Sequence, residues 1–395
     1  NLMLAAFGLN YETSGGAQWE KIAPSTYLAF LALIALFAER GNPVALIDDI
    51  VRRNKGVIVF LITWAMLFAY IFVFHGAPLT ATFDSFLLPI ALTLIFTRLP
   101  DGTLRRMTMF VHIVMAANAL LGLVEFATAW RLTPLVAQGM ELTSDYRSSA
   151  LLGHPLNNAI IVSSYALMLM LGGGRDLKPG WRAAALLLQV VAMAAFGGRF
   201  ATLLFLMFAA AIGFWHLLAL LNGRRFSMAS AAAASFIVPL LITCAILLVA
   251  DGFLDKFIMR FISDEGSAES RVKMFDLIAR IPPHELLIGA DPQTVATLQR
   301  TEGIAFGIES FWIAFIAYYG ILISVPFFIG LMAYLADMWR WARKGGFWPI
   351  FFFLVVCSTS ASLSGKSTTF ALFVAPFTLL MRPLPSRGTG RAAPC

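Results

Sequence analysis

The sequence predicts an all-α polytopic membrane protein with about twelve transmembrane helices and one large outward-facing loop. Three observations carry that prediction. The 395-residue chain is 59% hydrophobic and only 13% charged, about half the charge of a soluble domain. Its apolar residues fall into long runs joined by short basic loops. Only one long polar stretch, residues 251–305, interrupts them. The domain organisation that follows is residues 1–250 with helices 1–9, residues 251–305 as a loop with short helices, and residues 306–395 with helices 10–12 and a tail.

In chain order, the apolar spans are expected at 1–9, 24–38, 56–74, 84–97, 107–128, 151–171, 182–197, 200–221, 229–250, 306–336, 347–361 and 367–381. A helix needs about 20 residues to cross the hydrocarbon core, so the boundaries of the shorter spans are soft by a few residues. The first span is short, and Asn1 in place of Met leads to the expectation of a trimmed start; no cleavable signal peptide is expected. Residues 182–221 read as two helices broken at Gly197-Gly198-Arg199. The span at 229–250 carries Ala231 to Ala234 and Ser235, small residues that let helices approach closely. The span at 306–336 reads as a single aromatic helix headed by Glu309. No internal repeat marks the paired design of many transporters.

Charge tests the count independently. The loops 39–55, 98–106, 172–182, 222–228 and 337–346 and the tail after 381 hold 18 of the 29 Lys and Arg residues. The positive-inside rule makes that side cytoplasmic. Both termini are then cytoplasmic, and residues 251–305 face outward. Removing the break at Gly197 would flip every later loop and destroy the bias. The net charge of +7 is thereby accounted for by topology, so no nucleic-acid partner is expected. Cys244, Cys357 and Cys395 form no disulfide or zinc pattern, and no phosphate-loop, dinucleotide or H-E-x-x-H context is present. Lys366 follows a glycine but lacks the first glycine of a phosphate loop.

The outward segments hold the candidate chemistry. Arg199 stands at the break between two spans. It is either an interfacial residue that snorkels or a cation at the mouth of a cavity, aimed at phosphate. Within the polar loop, residues 267–280 read as a helix capped by Ser267, with Glu269 in its first turn and Pro282-Pro283 as its stop. Val272, Phe275, Ile278 and Ala279 form its apolar stripe, while Lys273, Asp276 and Arg280 point elsewhere. Arg271 is either solvated or a fork-shaped donor to a pyrophosphate. Glu309 either complements a helix dipole or serves as general base for a sugar hydroxyl. Arg147, His154 and Asn157 enter the sixth span from outside. Asn157 suits helix–helix hydrogen bonding as well as it suits substrate contact. His112 and Glu125 lie about 20 Å apart on one helix, too far to pair directly.

With those residues located, the chain resembles the O-antigen ligase and O-antigen polymerase superfamily of bacterial membrane glycosyltransferases. Four stretches carry the resemblance: Arg147 through Asn158, Gly198-Arg199-Phe200-Ala201, Ser270-Arg271 running to Gly289, and residues 309–321. They span roughly residues 145–335. The resemblance implies a GT-C-like fold, a periplasmic active site at the bacterial inner membrane, no metal and no cofactor. It implies an undecaprenyl-diphosphate-linked glycan donor and acceptor, surrounding membrane lipid, and a chain-length regulator as a candidate partner. Glu309, Arg271 and Arg199 would be catalytic; Arg147, His154, Asn157, Lys273 and Arg280 would bind substrate. The family's histidine position is Glu309 here and its following asparagine is Ser310. The lost histidine shifts the expectation from a ligase acting on lipid A core or protein toward a polymerase of O-antigen or exopolysaccharide repeat units. A flippase for the same lipid-linked glycans is the alternative of another class.

Overall fold

The structure, a computed structural model, describes residues 11, 17–39, 42–75, 79–133, 136–137, 140–141, 147–222, 267–304 and 307–383. The spans expected at 1–9 and 229–250 and the first part of the polar loop lie outside the described residues. Among the described residues the regular structure is helical apart from a two-residue antiparallel pair, β1 (Val136–Ala137) with β2 (Met140–Glu141).

In order, the helices are α1 (Pro24–Glu39), α2 (Pro43–Arg53), α3 (Lys55–Phe74), α4 (Thr80–Phe96), α5 (Asp101–Thr128), α6 (Pro155–Met170), α7 (Pro179–Phe196), α8 (Arg199–Leu221), α9 (Ser267–Arg280), α10 (Pro283–Ile288), α11 (Pro292–Thr301), α12 (Phe311–Trp341), α13 (Phe347–Cys357) and α14 (Thr369–Leu380). Five of them, α3, α5, α7, α8 and α12, are long and apolar enough to cross a membrane. Proline opens α2, α6, α7, α10 and α11, where its missing N–H leaves no bond unmade. Exposed apolar side chains recur at helical spacing: Leu28, Leu31 and Ile34 on α1; Phe110, Ile113, Leu120 and Val124 on α5; Leu203, Leu206 and Phe214 on α8. Surfaces this apolar belong against lipid, and the molecule is a membrane-embedded helical protein.

The core is aromatic. Phe60 of α3 stacks on Tyr334 of α12 at 5.3 Å between centroids, and Phe86 of α4 meets Phe327 at 4.8 Å. Close approach of α3 and α12 depends on missing side chains. A Cβ at Gly56 would run into the carbonyl of Ala333, and one at Gly330 into Thr63. The Gly56 amide donates to the Asp337 carboxylate across the same contact.

The break expected after the seventh span is present. Gly197 takes a left-handed conformation, φ 65, and its N–H caps α7 on the Met193 carbonyl at 3.1 Å, a common helix stop. Gly198 then passes α6 where a Cβ would collide with Ala159.

The expected single span at 306–336 is corrected. At Gly320 (φ 71, ψ 167) the helix is interrupted. Phe315 stacks on Phe327 at 4.9 Å, and Phe311 and Trp312 reach Phe328 at 5.9 and 4.6 Å. In a straight helix, residues 311 and 328 would be about 25 Å apart. The chain has therefore folded back on itself. Residues 311–319 form a short arm antiparallel to the first turns of a long arm, residues 321–341. The long arm alone, about 31 Å, suffices for a crossing.

The polar segment packs onto this hairpin as a cap. Met274, Leu277 and Ile281 of α9 join Ala290, Val295, Ile304 and Ile308 in a small core against Ala314 and Ala317 of the short arm. The apolar stripe expected at Val272, Phe275, Ile278 and Ala279 is thereby corrected by one step. Phe275 is 68% exposed, Ala279 is exposed, and the side chain of Val272 lies outside the described residues. Residues 274, 277, 278 and 281 follow the three–four spacing of one helical face.

Five of the six basic segments meet at one end of the bundle. Arg98 bonds Asp49 at 3.2 Å, Arg105 lies 3.9 Å from Asp176, and Arg382 lies 3.7 and 3.9 Å from Asp101 and Asp176. Arg343 donates to the Gly172 carbonyl. The sixth segment, 222–228, is described only at residue 222.

Candidate functional site

The polar corner where α5 ends and α6 to α8 meet is built around Glu125. This carboxylate is buried at 2% exposure. One oxygen accepts from the Leu132 amide at 2.9 Å. The other accepts from the Ser148 hydroxyl at 2.6 Å and from the amides of Ser149 and Ala150, each at 2.9 Å. Ala150 takes a positive φ of 38, a costly conformation for a residue with a Cβ, and these bonds help hold it. Beside this cluster, Asn118 donates to Asn158 at 2.8 Å and accepts from the Leu151 amide, while Asn158 donates to the carbonyls of Ser149 and His154.

The same corner gathers arginines. The Ser148 amide donates to the Ala195 carbonyl at 3.0 Å, so the backbone at Arg147 lies against the last turn of α7, four residues before Arg199. Arg131 Nε donates to the Arg147 carbonyl at 3.1 Å. Arg147 and Arg199 are both half-buried. In a partly dehydrated setting, guanidinium groups gain strength as donors to phosphate oxygen.

The remaining predicted residues fall in other places. His154 is exposed, and its Nδ1 accepts from the Leu156 amide at 3.2 Å, capping α6. Asn157 is half-buried; the helix–helix hydrogen bond considered for it is made by its neighbour Asn158. Arg280 forms an ion pair with Glu302 at 2.5 Å, tying α9 to α11. Lys273 lies over the turn at Gly303. Arg271 is in the first turns of α9, and its side chain lies outside the described residues.

Glu309 immediately precedes the short arm. Because the arm folds back, Glu309 starts beside the level of Phe328, about 12 Å along the long arm from Gly320. The expectation of Glu309 at the outer rim of a span is corrected accordingly. Glu309 is half-buried and makes no ion pair with a described residue. Trp312, one turn on, donates to Ser358 at 2.7 Å, which fixes the base of the arm against the hydroxyl-rich turn 358–368.

That turn is part of a second polar cluster. Asp84 of α4 is fully buried and accepts from Tyr11, the Ala23 amide and Thr26. Lys366 lies 3.4 Å above the Tyr11 ring and donates to its carbonyl. Ser85 donates to the carbonyls of Gly365 and Ser367.

No family model matches the chain, and no curated protein and no solved structure matches it. The resemblance drawn above therefore rests on its four motif stretches alone.

Sequence reasoning missed Arg131 and Asn118 and undervalued Glu125. Arg131 had a signal: it lies with Arg147 between the spans expected at 107–128 and 151–171. Glu125 was weighed only against His112 on its own helix, whereas its partners lie 7 to 25 residues further along the chain. His112 pairs instead with Tyr165, Nδ1 to hydroxyl, at 2.6 Å. Among the described residues no group of three or more His, Cys, Asp and Glu side chains is close enough to hold a metal ion.

Proposed function

We propose that the chain is a membrane glycosyltransferase that polymerises undecaprenyl-diphosphate-linked oligosaccharide repeat units at the periplasmic face of the bacterial inner membrane. The observation that carries this reading is the corner where Arg131, Arg147 and Arg199 come together on backbone held by Glu125. In this reading about twelve helices cross the bilayer in a GT-C-like arrangement, and the basic end of the bundle is cytoplasmic.

The acceptor hydroxyl attacks the anomeric carbon of the donor. The bond from that carbon to the diphosphate breaks, and undecaprenyl diphosphate leaves with the electron pair. Negative charge builds on the departing diphosphate, where fixed guanidinium groups stabilise it more in the transition state than in the bound donor. Arg199 and Arg147 take that role, with Arg271 from the cap. Glu309 accepts the proton of the attacking hydroxyl.

A transporter of the same lipid-linked glycans is the second reading. Two observations favour it. A helix folded back part-way along a span is a device of transporters. Buried polar groups also sit on several helices, among them Asp84, Asn118, Asn158 and Gln189. A ligase differs from the first reading only in its acceptor.

One experiment separates them. The purified chain in vesicles is given lipid-linked repeat units, with Glu309→Gln and Arg199→Ala prepared singly. Loss of chain extension by about a hundredfold or more in Glu309→Gln, with a comparable loss in Arg199→Ala, is the expected result. Undiminished extension in both variants sinks the assigned site. Lipid translocation without a new glycosidic bond selects the transporter.

A further inference from the structure

The basic end carries a cluster that the proposed transfer does not use. After the turn at Gly172, Gly173 and Gly174 come Arg175, Lys178 and Arg182. Arg343 reaches over this turn from the far end of α12. Its Nη1 donates to the Gly172 carbonyl, and a Cβ at Gly172 would lie 3.2 Å from its Nη2. Its amide donates to the Met381 carbonyl at 2.7 Å. Arg343 is thus fixed at both ends.

The carboxylate of the turn is already engaged. Asp176 lies 3.9 Å from Arg105 and 3.9 Å from Arg382. Among the described residues, Arg175, Lys178 and Arg182 form no ion pair. Burial and the nearby charges of Arg175 and Arg182 hold Arg343 below the ordinary arginine range. Like charges gathered without a counter-charge raise the energy of the corner, and a bound anion would lower it.

Two neighbours point to an amphiphile as the source of that anion. A cleft of about 230 Å³ opens at Ala342 and Met381, next to Arg343 in sequence and in backbone bonding, with Leu104, Met338 and Phe377 among its walls and Asp101 and Arg382 also lining it. Trp181 at 69%, Trp339 at 51% and Trp348 at 45% exposure surround this end, as tryptophans do at a lipid–water boundary. Guanidinium forks match phosphate oxygens, and basic pockets between spans take lipid headgroups. We propose that Arg175, Arg182 and Arg343 bind the phosphate of an anionic membrane phospholipid whose acyl chain lies in the adjoining cleft.

Native mass spectrometry of the full chain, loaded with phosphatidylglycerol or phosphatidylcholine, tests this. The wild-type chain is expected to retain phosphatidylglycerol preferentially. The double variant R175Q/R182Q, which keeps polar side chains but removes both charges, should weaken apparent affinity roughly ten- to thirtyfold. R52A/R53A, which removes two exposed arginines from the same end, should change it by less than about twofold. Equal retention of both lipids overturns the proposal, as does an equal response of the two double variants. Complete displacement of the lipid by millimolar inorganic phosphate would show a free-anion site and also overturn it. Melting temperatures measured without added lipid, expected to agree between wild type and R175Q/R182Q, exclude misfolding as the cause of any loss.

Discussion

At one end of the bundle, the carboxylates of Glu125 and Asp84 are buried and fully engaged by backbone amides and hydroxyls. At the other end, Arg52 and Arg53 reach Asp48 and Asp49 with their side chains 76% and 77% exposed. Both ends are rich in charge, yet the charge does different work. At the first end it immobilises loops, because a carboxylate that gathers several N–H groups fixes all of them at once. At the second, the pairs of Arg52 and Arg53 are solvated and exchangeable, and such pairs add little stability. A segment whose charges point into its own backbone is built for shape.

Four substitutions sharpen that contrast. The largest effect is expected from Glu125→Ala, which strands two buried amides and a hydroxyl. It should lower stability by about 3–5 kcal/mol, read as a fall in the thermal midpoint of the detergent-solubilised chain. Next is Gly320→Ala. A Cβ there meets the backbone of Leu287 and Ile288 at a φ of 71, and a loss of roughly 2–3 kcal/mol is expected. Proteolysis of the cap over residues 267–304 should accelerate in the same variant. Arg280→Ala breaks the pair with Glu302, whose side chain is only 10% exposed; about 1 kcal/mol is expected, measured by hydrogen exchange in α9 and α11. The smallest effect belongs to Arg52→Ala, within about 0.5 kcal/mol. A drop there comparable to that of Glu125→Ala would erase the distinction between the ends.

Much of the helical frame was legible because the signals are local. Apolar runs mark helices, proline marks their starts, and Gly197-Gly198 marks a stop that backbone geometry alone requires. The gathering of the basic loops was legible because charge bias is a property of short segments. The fold-back at Gly320 was not. Residues 311–341 form one apolar run, and a glycine within such a run is ordinary in a membrane helix. What bends it is distant: the Ala290 amide takes the Ala317 carbonyl at 3.0 Å, and Tyr70 donates to the Ile288 carbonyl beside it. A Cβ at Gly289 would lie 2.6 Å from the Tyr318 carbonyl, so the two glycines admit one another. The candidate site divides in the same way. Arg147 and Arg199 could be picked out by residue type and position. Glu125 could not, because its meaning lies in amides that sequence does not display. The stripe of α9 differs from the expected one because Met274 and Leu277, rather than the larger Phe275, lie on the face that meets the short arm.

The fold-back at Gly320 leaves the expected alternation of loop charge unchanged. An arm that dips in and returns leaves the chain on the side from which it came, so the number of complete crossings keeps its parity. Loop charges report only odd or even. Residues 311–319 are invisible to that arithmetic, and a chain can hide such an arm from any method that infers sidedness by counting alternations.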